Sequence, residues 1–234
     1  MSTVICLPGL GADDALFEPQ RAAFDHARVP DWPDTDGVRT FDGFASALLT
    51  QLRADGTWKE RCTLVGFSFG GQVALSMTRI ALEREAPKPS AIVLVSSTRS
   101  NEQITGGFRA QVALSKVLPA SLIAWAARTL VAPGFARSCG LDTDQTRALR
   151  EMAARLDAKQ FKRLATLATR WTFDAQQEQR LRDAGITIAH LHSLRDPVIP
   201  APPRGTPGVT FLPEQAHLLT WTHADRVNAM IRGV

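Results

Sequence analysis

"LVGFSFGGQVAL", residues 64–75, passes from an apolar, β-branched run through Gly66-Phe67-Ser68-Phe69-Gly70-Gly71 into a helical pattern. Two readings compete. The glycines can be only the hinge by which a strand enters a helix, with an idle serine or a phosphate-cradling loop between them. Alternatively, the turn strains the serine backbone so that its hydroxyl stands above a sheet edge. The flanks favour the second reading: "CTLV" (62–65) has strand character and "GGQVALSMTRIAL" (70–82) has helical spacing, the strand–turn–helix setting that a nucleophile elbow requires. Gly66 and Gly70 then avoid collisions across a tight turn, and Gly71 serves close helix packing. The phosphate-binding patterns GxGxxG and GxxxxGK[ST] are both missing from this stretch.

Working outward, short apolar runs alternate with longer helical patterns, as in βαβ units that build a parallel sheet. The runs are "TVICL" (3–7), a weaker "HARVP" (26–30), "CTLVGF" (62–67), "AIVLVSS" (91–97), "ITIAHLHS" (186–193) and "GVTFLP" (208–213). Apolar residues recur at three and four in "FDGFASALLTQLRA" (41–54), "GGQVALSMTRIALERE" (70–85) and "HADRVNAMIRGV" (223–234). The fold class is therefore α/β, with a mostly parallel sheet flanked by helices. Residues 99–183 break the alternation: no convincing strand appears, only helical patterns punctuated by Pro119, Pro133-Gly134 and Gly140. Ser121, Asp142 and Asp157 are expected N-caps within it. This divides the chain into a core of residues 1–98 and 184–234 and an inserted all-helical cap of residues 99–183, placed over the sheet because the sheet resumes after it.

Composition narrows the class. A chain of 234 residues holds one large core with an insertion more readily than two independent cores. It is 44% apolar and 21% charged, near ordinary globular usage, and has no run long enough for a membrane span, so no membrane partner is expected. "MSTVICLPGLG" lacks a basic n-region and reads as a strand broken at Pro8-Gly9, not a secretory signal. Cys6, Cys62 and Cys139 form no CxxC pair and leave an odd thiol, which fits a reducing compartment and makes the cytoplasm the expected location. A net charge of +4 raises nucleic acid as a partner. However, basic residues are interspersed with acidic ones, tyrosine is absent and aromatics are 7%, so neither a basic block nor stacking platforms are present and no nucleic-acid partner is expected.

With Ser68 on its elbow, the sequence resembles the α/β-hydrolase superfamily, whose members place an acid and then a histidine after the serine. "HLHSLRDPVIP" puts Asp196 in the loop after the penultimate run, in a setting similar to the family's acid loop. "FLPEQAHLLTWTHADRV" puts His217 after the last run and before a final helix, with Ala216 where the family commonly has glycine. The resemblance implies a catalytic triad in which Ser68 attacks an acyl carbon, His217 shuttles the proton and Asp196 orients His217. The chemistry is familiar: a hydroxyl is a poor nucleophile until a base takes its proton, and an imidazole needs a carboxylate to fix its tautomer. The loop "LPGLGADDALFEPQ" (7–20) looks like the family's oxyanion loop, with Pro8 where histidine is frequent. Carried over, it implies an oxyanion hole of the Leu10 and Phe69 backbone N–H groups, with Gly9 and Gly11 allowing close approach. In isolation the same loop would pass for a glycine-rich turn.

The other histidines are set aside by position. His223 falls in the first turn of the last helix, where Thr222 and Asp225 have capping-box spacing. His190 and His192 share one face of a strand, without a third ligand to make a metal site, and read as strand packing. His26 has no constellation.

Fold and triad leave the substrate open. In the insert, Leu114, Leu118, Ile123, Trp125, Leu130, Phe135, Phe161, Leu164 and Trp171 could line an apolar acyl pocket, although their helical spacing also suits packing within the cap. Residues 99–183 hold fourteen Lys and Arg against eight Asp and Glu, a solvated face or a guide for an anionic substrate. The expectation is a serine hydrolase of carboxylesterase type, cleaving a small-molecule acyl ester through an acyl-enzyme on Ser68, with no metal and no organic cofactor. A thioesterase acting on acyl carrier protein or coenzyme A thioesters is the alternative within the enzymes. A ligand-binding, receptor-like protein with a hydrolase pocket and negligible turnover is the alternative outside them.

Overall fold

The central strands bury both faces, as a parallel sheet covered by helices on two sides demands. In Val-Ile-Cys-Leu (residues 4–7), Ile5 and Leu7 enter one apolar core while Val4 and Cys6 enter the other, because successive side chains on a strand point to opposite faces. The computed structural model describes residues 3–214 and 216–234. Met1 and Ser2, from the stretch read as the first strand, and Gln215, from the stretch that carries His217, lie outside the described residues.

In chain order the first half contains β1 (Val4–Leu7), α1 (Glu18–Ala23), β2 (Ala27–Arg28), α2 (Phe41–Ala54), β3 (Thr63–Phe67), α3 (Phe69–Glu83) and β4 (Ala91–Val95). Then come α4 (Gly106–Val117), α5 (Ala120–Ala126), a π-helical turn at Ala127–Val131, α6 (Ala132–Ser138), α7 (Thr143–Ala154), α8 (Ala158–Ala168) and α9 (Ala175–Asp183). The chain closes with β5 (Thr187–Ser193), β6 (Val209–Leu212), α10 (Leu219–Thr222) and α11 (Ala224–Arg232). The six strands form one wholly parallel sheet in the order β2-β1-β3-β4-β5-β6. The chain moves outward from β1 to β2 and then returns to pair β3 with β1, Leu7 lying beside Gly66. This reversal is a topological switch point, where loops at the carboxyl ends of two strands diverge and leave a crevice.

One core joins α2 and α3 to the sheet through Phe44, Leu48, Leu52, Val73, Met77 and Ile80. The other packs Leu16, Phe17, Trp221, Val227 and Ile231 against the opposite face. The helices between β4 and β5 lean on both cores. Ala132 and Ala136 of α6 and Leu149 and Met152 of α7 join the second, while Leu164 and Leu167 of α8 join the first. Leu181 of α9 also enters the first core, beside Ile186 and Ile188, so α9 leads the chain back to the sheet. Where this excursion starts and returns, Arg99 pairs with Glu178 and donates to the Pro207 carbonyl at 2.8 Å.

The N-caps follow local chemistry. Asp142 forms a capping box with Gln145, and the Asp157 carboxylate accepts from the Lys159 and Gln160 N–H groups. Asp174 and Gln177 form a second box, which the Asp-x-x-Gln spacing carries in the sequence without having been singled out. Two expectations are corrected. Ser121 is not an N-cap: α5 opens at Ala120 behind Pro119, whose fixed φ sets the helix entry, so Ser121 already lies inside the helix. Thr222 and Asp225 form no capping box. Thr222 closes α10 and turns its hydroxyl back to the Leu218 carbonyl at 3.2 Å, and the N-cap of α11 is His223, without a side-chain cap bond. Among the described residues, no helix is long and apolar enough to cross a membrane.

Candidate active site

The strand-to-helix turn after β3 holds Ser68 at φ 52° and ψ −117°, a conformation that L-residues rarely adopt. Its surroundings enforce it. The Ser68 N–H donates to the Val95 carbonyl of β4 at 3.0 Å, and its carbonyl accepts from the Ser97 hydroxyl at 2.6 Å. The glycines are there for space. A Cβ on Gly66 would lie 2.5 Å from the Gly71 Cα, one on Gly70 would lie 1.9 Å from the Leu7 carbonyl oxygen, and one on Gly71 would lie 2.1 Å from the Ser97 hydroxyl. Only glycine at all three positions lets α3 start this close to β1 and β4, leaving Ser68 part-exposed at the crevice.

Across the crevice, Asp196 and His217 come together from two loops. The His217 Nδ1–H donates to Asp196 Oδ2 at 2.7 Å, with the Asp196 side chain fully buried and that of His217 6% exposed. The other carboxylate oxygen, Oδ1, accepts from the Val198 and Ile199 N–H groups at 2.8 and 3.0 Å. Both Asp196 oxygens are therefore occupied by donors, which fixes the rotamer. The His217 ring is held between Phe67, 5.0 Å away by centroids and next to Ser68 in the chain, and Phe135 of α6 at 5.8 Å. Among the described residues, no hydrogen bond joins the Ser68 hydroxyl to His217. The geometry thus joins the acid to the histidine and sets the histidine against the residue preceding the serine.

The loop after β1 supplies the facing wall. A Cβ on Gly9 would sit 2.8 Å from the Phe67 ring and 3.3 Å from Ser68 Cβ, so this backbone passes directly over the serine. Gly11 has φ 73°, and a Cβ there would meet Leu156 at 3.0 Å and Phe161 at 3.5 Å. Leu10 lies between them. Phe69 is the first residue of α3, and N–H groups in a first helical turn lack an acceptor inside the helix. The Phe69 ring packs on Trp32, Phe41 and Phe44, with centroids 5.6 to 5.9 Å apart.

A buried serine ties the acid and histidine loops together: the Ser193 hydroxyl donates to the Glu214 carbonyl and lies 3.3 Å from the N–H groups of Arg195 and Ala216. Sequence reading missed Ser193, although it ends the strand that precedes Asp196. His190 and His192 are fully buried on β5, as strand packing predicts, but they also bond to each other through His190 Nε2 and His192 Nδ1 at 3.1 Å. Burial holds both imidazoles below the ordinary histidine range, for His190 well below it. Burial also pushes the Cys6 thiol up to about 12 and the Cys62 thiol to about 11, so neither offers a thiolate near neutral pH. Among the described residues, no group of three or more His, Cys, Asp or Glu side chains is arranged to hold a metal ion.

The apolar residues of residues 99–183 separate. Leu164 and Trp171 are core, the Trp171 Nε1–H donating to the Ser76 hydroxyl of α3 at 2.9 Å. Phe135 and Phe161 reach the site, on His217 and opposite Gly11. Leu114, Trp125 and Leu130 face outward, 60%, 48% and 62% exposed. Arg155, just past α7, pairs with Asp13 of the loop after β1 at 2.7 Å.

A model of the alpha/beta hydrolase family matches residues 4–230, nearly the whole chain. The chain belongs to the alpha/beta hydrolase family. As a member of that family it is a hydrolase-type enzyme. No curated protein matches it in sequence. Among solved structures, a thermophilic esterase from Thermogutta terrifontis superposes with a TM-score of 0.74 at 18% identity, covering 100% of this chain and 89% of that one. A hydrolase from Oleispira antarctica gives 0.69 at 14% identity, with 100% and 90% coverage. A lipase-esterase related protein from Clostridium acetobutylicum gives 0.70 at 12%, with 99% and 93% coverage. At these identities the likeness is one of fold, and it spans nearly the whole of this alpha/beta hydrolase.

Proposed function

We propose that this alpha/beta hydrolase cleaves a small-molecule carboxylic ester through an acyl-enzyme on Ser68. His217 Nε2 takes the Ser68 proton as Oγ attacks the acyl carbon, and the resulting oxyanion accepts from the Leu10 and Phe69 N–H groups. His217 then gives that proton to the departing alkoxide. A water, deprotonated by the same imidazole, releases the acid and restores the serine. Asp196 holds the His217 tautomer that makes Nε2 the base. The observation that carries the reading is the buried 2.7 Å bond between His217 Nδ1 and Asp196 beside a serine held at φ 52°. Residues 99–183 act as a cap, with Phe135 and Phe161 forming its inner surface. The three free, buried thiols suit a reducing compartment, the cytoplasm.

The test is covalent labelling with a fluorophosphonate probe followed by mass spectrometry. The expected result is one adduct, on Ser68, lost in Ser68→Ala. Undiminished labelling of Ser68→Ala overturns the assignment.

One observation favours a thioester substrate with an anionic carrier. An open groove of about 440 Å³ is lined by Val38, Arg39, Lys116, Lys162, Arg163, Thr166, Leu167 and Arg170, five cations without a lining carboxylate. Arg163 is engaged by Asp36, and the Lys162 ammonium by the Lys116 and Leu118 carbonyls, which leaves Arg39, Lys116 and Arg170 to meet a phosphate-bearing group. On this reading, Arg39→Glu/Arg170→Glu raises KM for an acyl-coenzyme A about tenfold while KM for a short neutral ester stays constant. Equal changes for both substrates reject the carrier reading and leave the esterase reading standing.

A further inference from the structure

The histidine pair on β5 is not used by the chemistry above, yet it occupies fully buried positions that a leucine would fill without a desolvation penalty. The direction of its hydrogen bonds follows from one acceptor. His192 Nε2 lies 3.2 Å from the Ile199 carbonyl, which can only accept, so Nε2 carries the proton. In the neutral ring Nδ1 is then a lone pair, and the His190 Nε2–H must donate to it. His190 therefore fixes the tautomer of His192, and His192 fixes the Ile199 carbonyl. The Ile199 backbone is held at both ends: its C=O, in the peptide with Pro200, by His192, and its N–H, in the peptide with Val198, by Asp196 Oδ1 at 3.0 Å. The His192 Nε2–H also faces Asp196 Oδ2 across 3.9 Å, on the oxygen that receives His217.

We propose that His190 and His192 are positioning residues for Asp196: a buried two-imidazole strut that orients the Ile199 backbone and, through it, the carboxylate that holds His217. The proposal rests on reading Asp196 as the acid of the triad. Its parts are supplied by β-strand geometry. Period two places both rings on one face, and the strand carries them rigidly into the acid loop that begins at Leu194, two residues beyond His192. The cost is visible at the far end of the strut, where His190 Nδ1 is buried with no partner among the described residues. An unpaired buried nitrogen is destabilising, and here it leaves the His190 ring only one way to be neutral and bonded.

The test compares His192→Leu, His192→Gln, His192→Asn and His190→Leu. Glutamine can carry an amide N–H to the Ile199 carbonyl; asparagine, one carbon shorter, cannot reach it. With a short acyl ester, kcat should fall about 10²-fold in His192→Leu and His192→Asn at unchanged KM, because a misplaced acid group costs rate and not binding. Glutamine should recover most of that loss, and His190→Leu should lie between. Proton NMR supplies a readout independent of turnover. The His217 Nδ1 proton should give a downfield line, identified by its loss in His217→Gln, that is retained in His192→Gln and broadened by exchange in His192→Asn and His192→Leu. Should His192→Leu fail to fold, the glutamine and asparagine variants carry the comparison. Equal kcat and an unchanged line in those two overturn the proposal and return the pair to packing. The triad reading fails by a different sign, full activity in Ser68→Ala, while the NMR arm still reports whether the strut holds the Asp196–His217 bond.

Discussion

A single backbone conformation sets the site. Ser68 sits in a left-handed region because Gly66, Gly70 and Gly71 let α3 start close against β1 and β4, and the Ser97 hydroxyl and Val95 carbonyl pin its peptide groups. The collision at Gly70 is with backbone, which cannot swing away as a side chain would. Gly70→Ala should therefore lose on the order of 3 kcal/mol, read as a lower urea midpoint by circular dichroism. Asp196→Asn has the opposite profile. The amide keeps the volume of the side chain and can still accept from Val198 and Ile199, but it no longer enforces a proton on His217 Nδ1. kcat should drop by about 10⁴ with the melting temperature little changed, which steady-state kinetics beside a thermal melt will check. A retained kcat would move the acid to another carboxylate.

Between elements, the helices that join β4 to β5 are anchored by charge as well as by packing. Arg99 follows β4 and Glu178 lies in α9, and their side chains are only 5% and 13% exposed. Glu178 also receives Arg182 at 3.0 Å, while Arg99 reaches the Pro207 carbonyl. Removing one partner leaves a buried charge without its counterion, so Glu178→Gln should cost about 3 kcal/mol, measured by denaturant unfolding. The caps are weaker devices. Asp157→Ala removes the acceptor for two N–H groups at the start of α8 and should cost about 1 kcal/mol by the same measurement. Because α8 carries Phe161 to the loop after β1, this variant should also lower the rate of fluorophosphonate labelling of Ser68.

At the scale of the molecule, buried imidazoles link stability to pH. His190 and His192 titrate lower in the folded chain than the unfolded value near 6.5, chiefly because burial penalises the charged form. The unfolded chain thus binds more protons once pH falls below about 6.5, and stability must decline from there toward the folded values, with no contribution above about pH 7.5. Urea midpoints between pH 8 and 5 should show this slope, and His190→Leu/His192→Leu should flatten it. The assembly of the site is also a whole-molecule property. Its parts come from the carboxyl ends of β1, β3 and β5, from the loop after β6, and from α6 and α8.

Sequence alone determined what depends on local pattern. The resemblance to a family with its own chain order proposed Asp196 and His217; strand and helix periods placed all six strands within a residue or two, and Gly66-x-Ser68-x-Gly70 placed the strand-to-helix turn. Those features are local because period, propensity and steric need are carried by neighbouring residues. Only the tertiary structure decided how Asp196 is held. The Ser193 clamp, the His190–His192 strut and the contact of Phe135 with His217 join residues distant in sequence or arranged by loops, and no periodicity encodes them. Ser121 and Thr222 show the same limit from the other side: each has the chemistry of an N-cap, but Pro119 and the early turn of α10 had already determined where the helices begin. The helices between β4 and β5 divide likewise, since spacing identifies Leu164 and Phe135 equally as apolar helix positions, while packing buries one in the core and sets the other on the histidine. A hydrophobic side chain carries no address; the surface it meets supplies one.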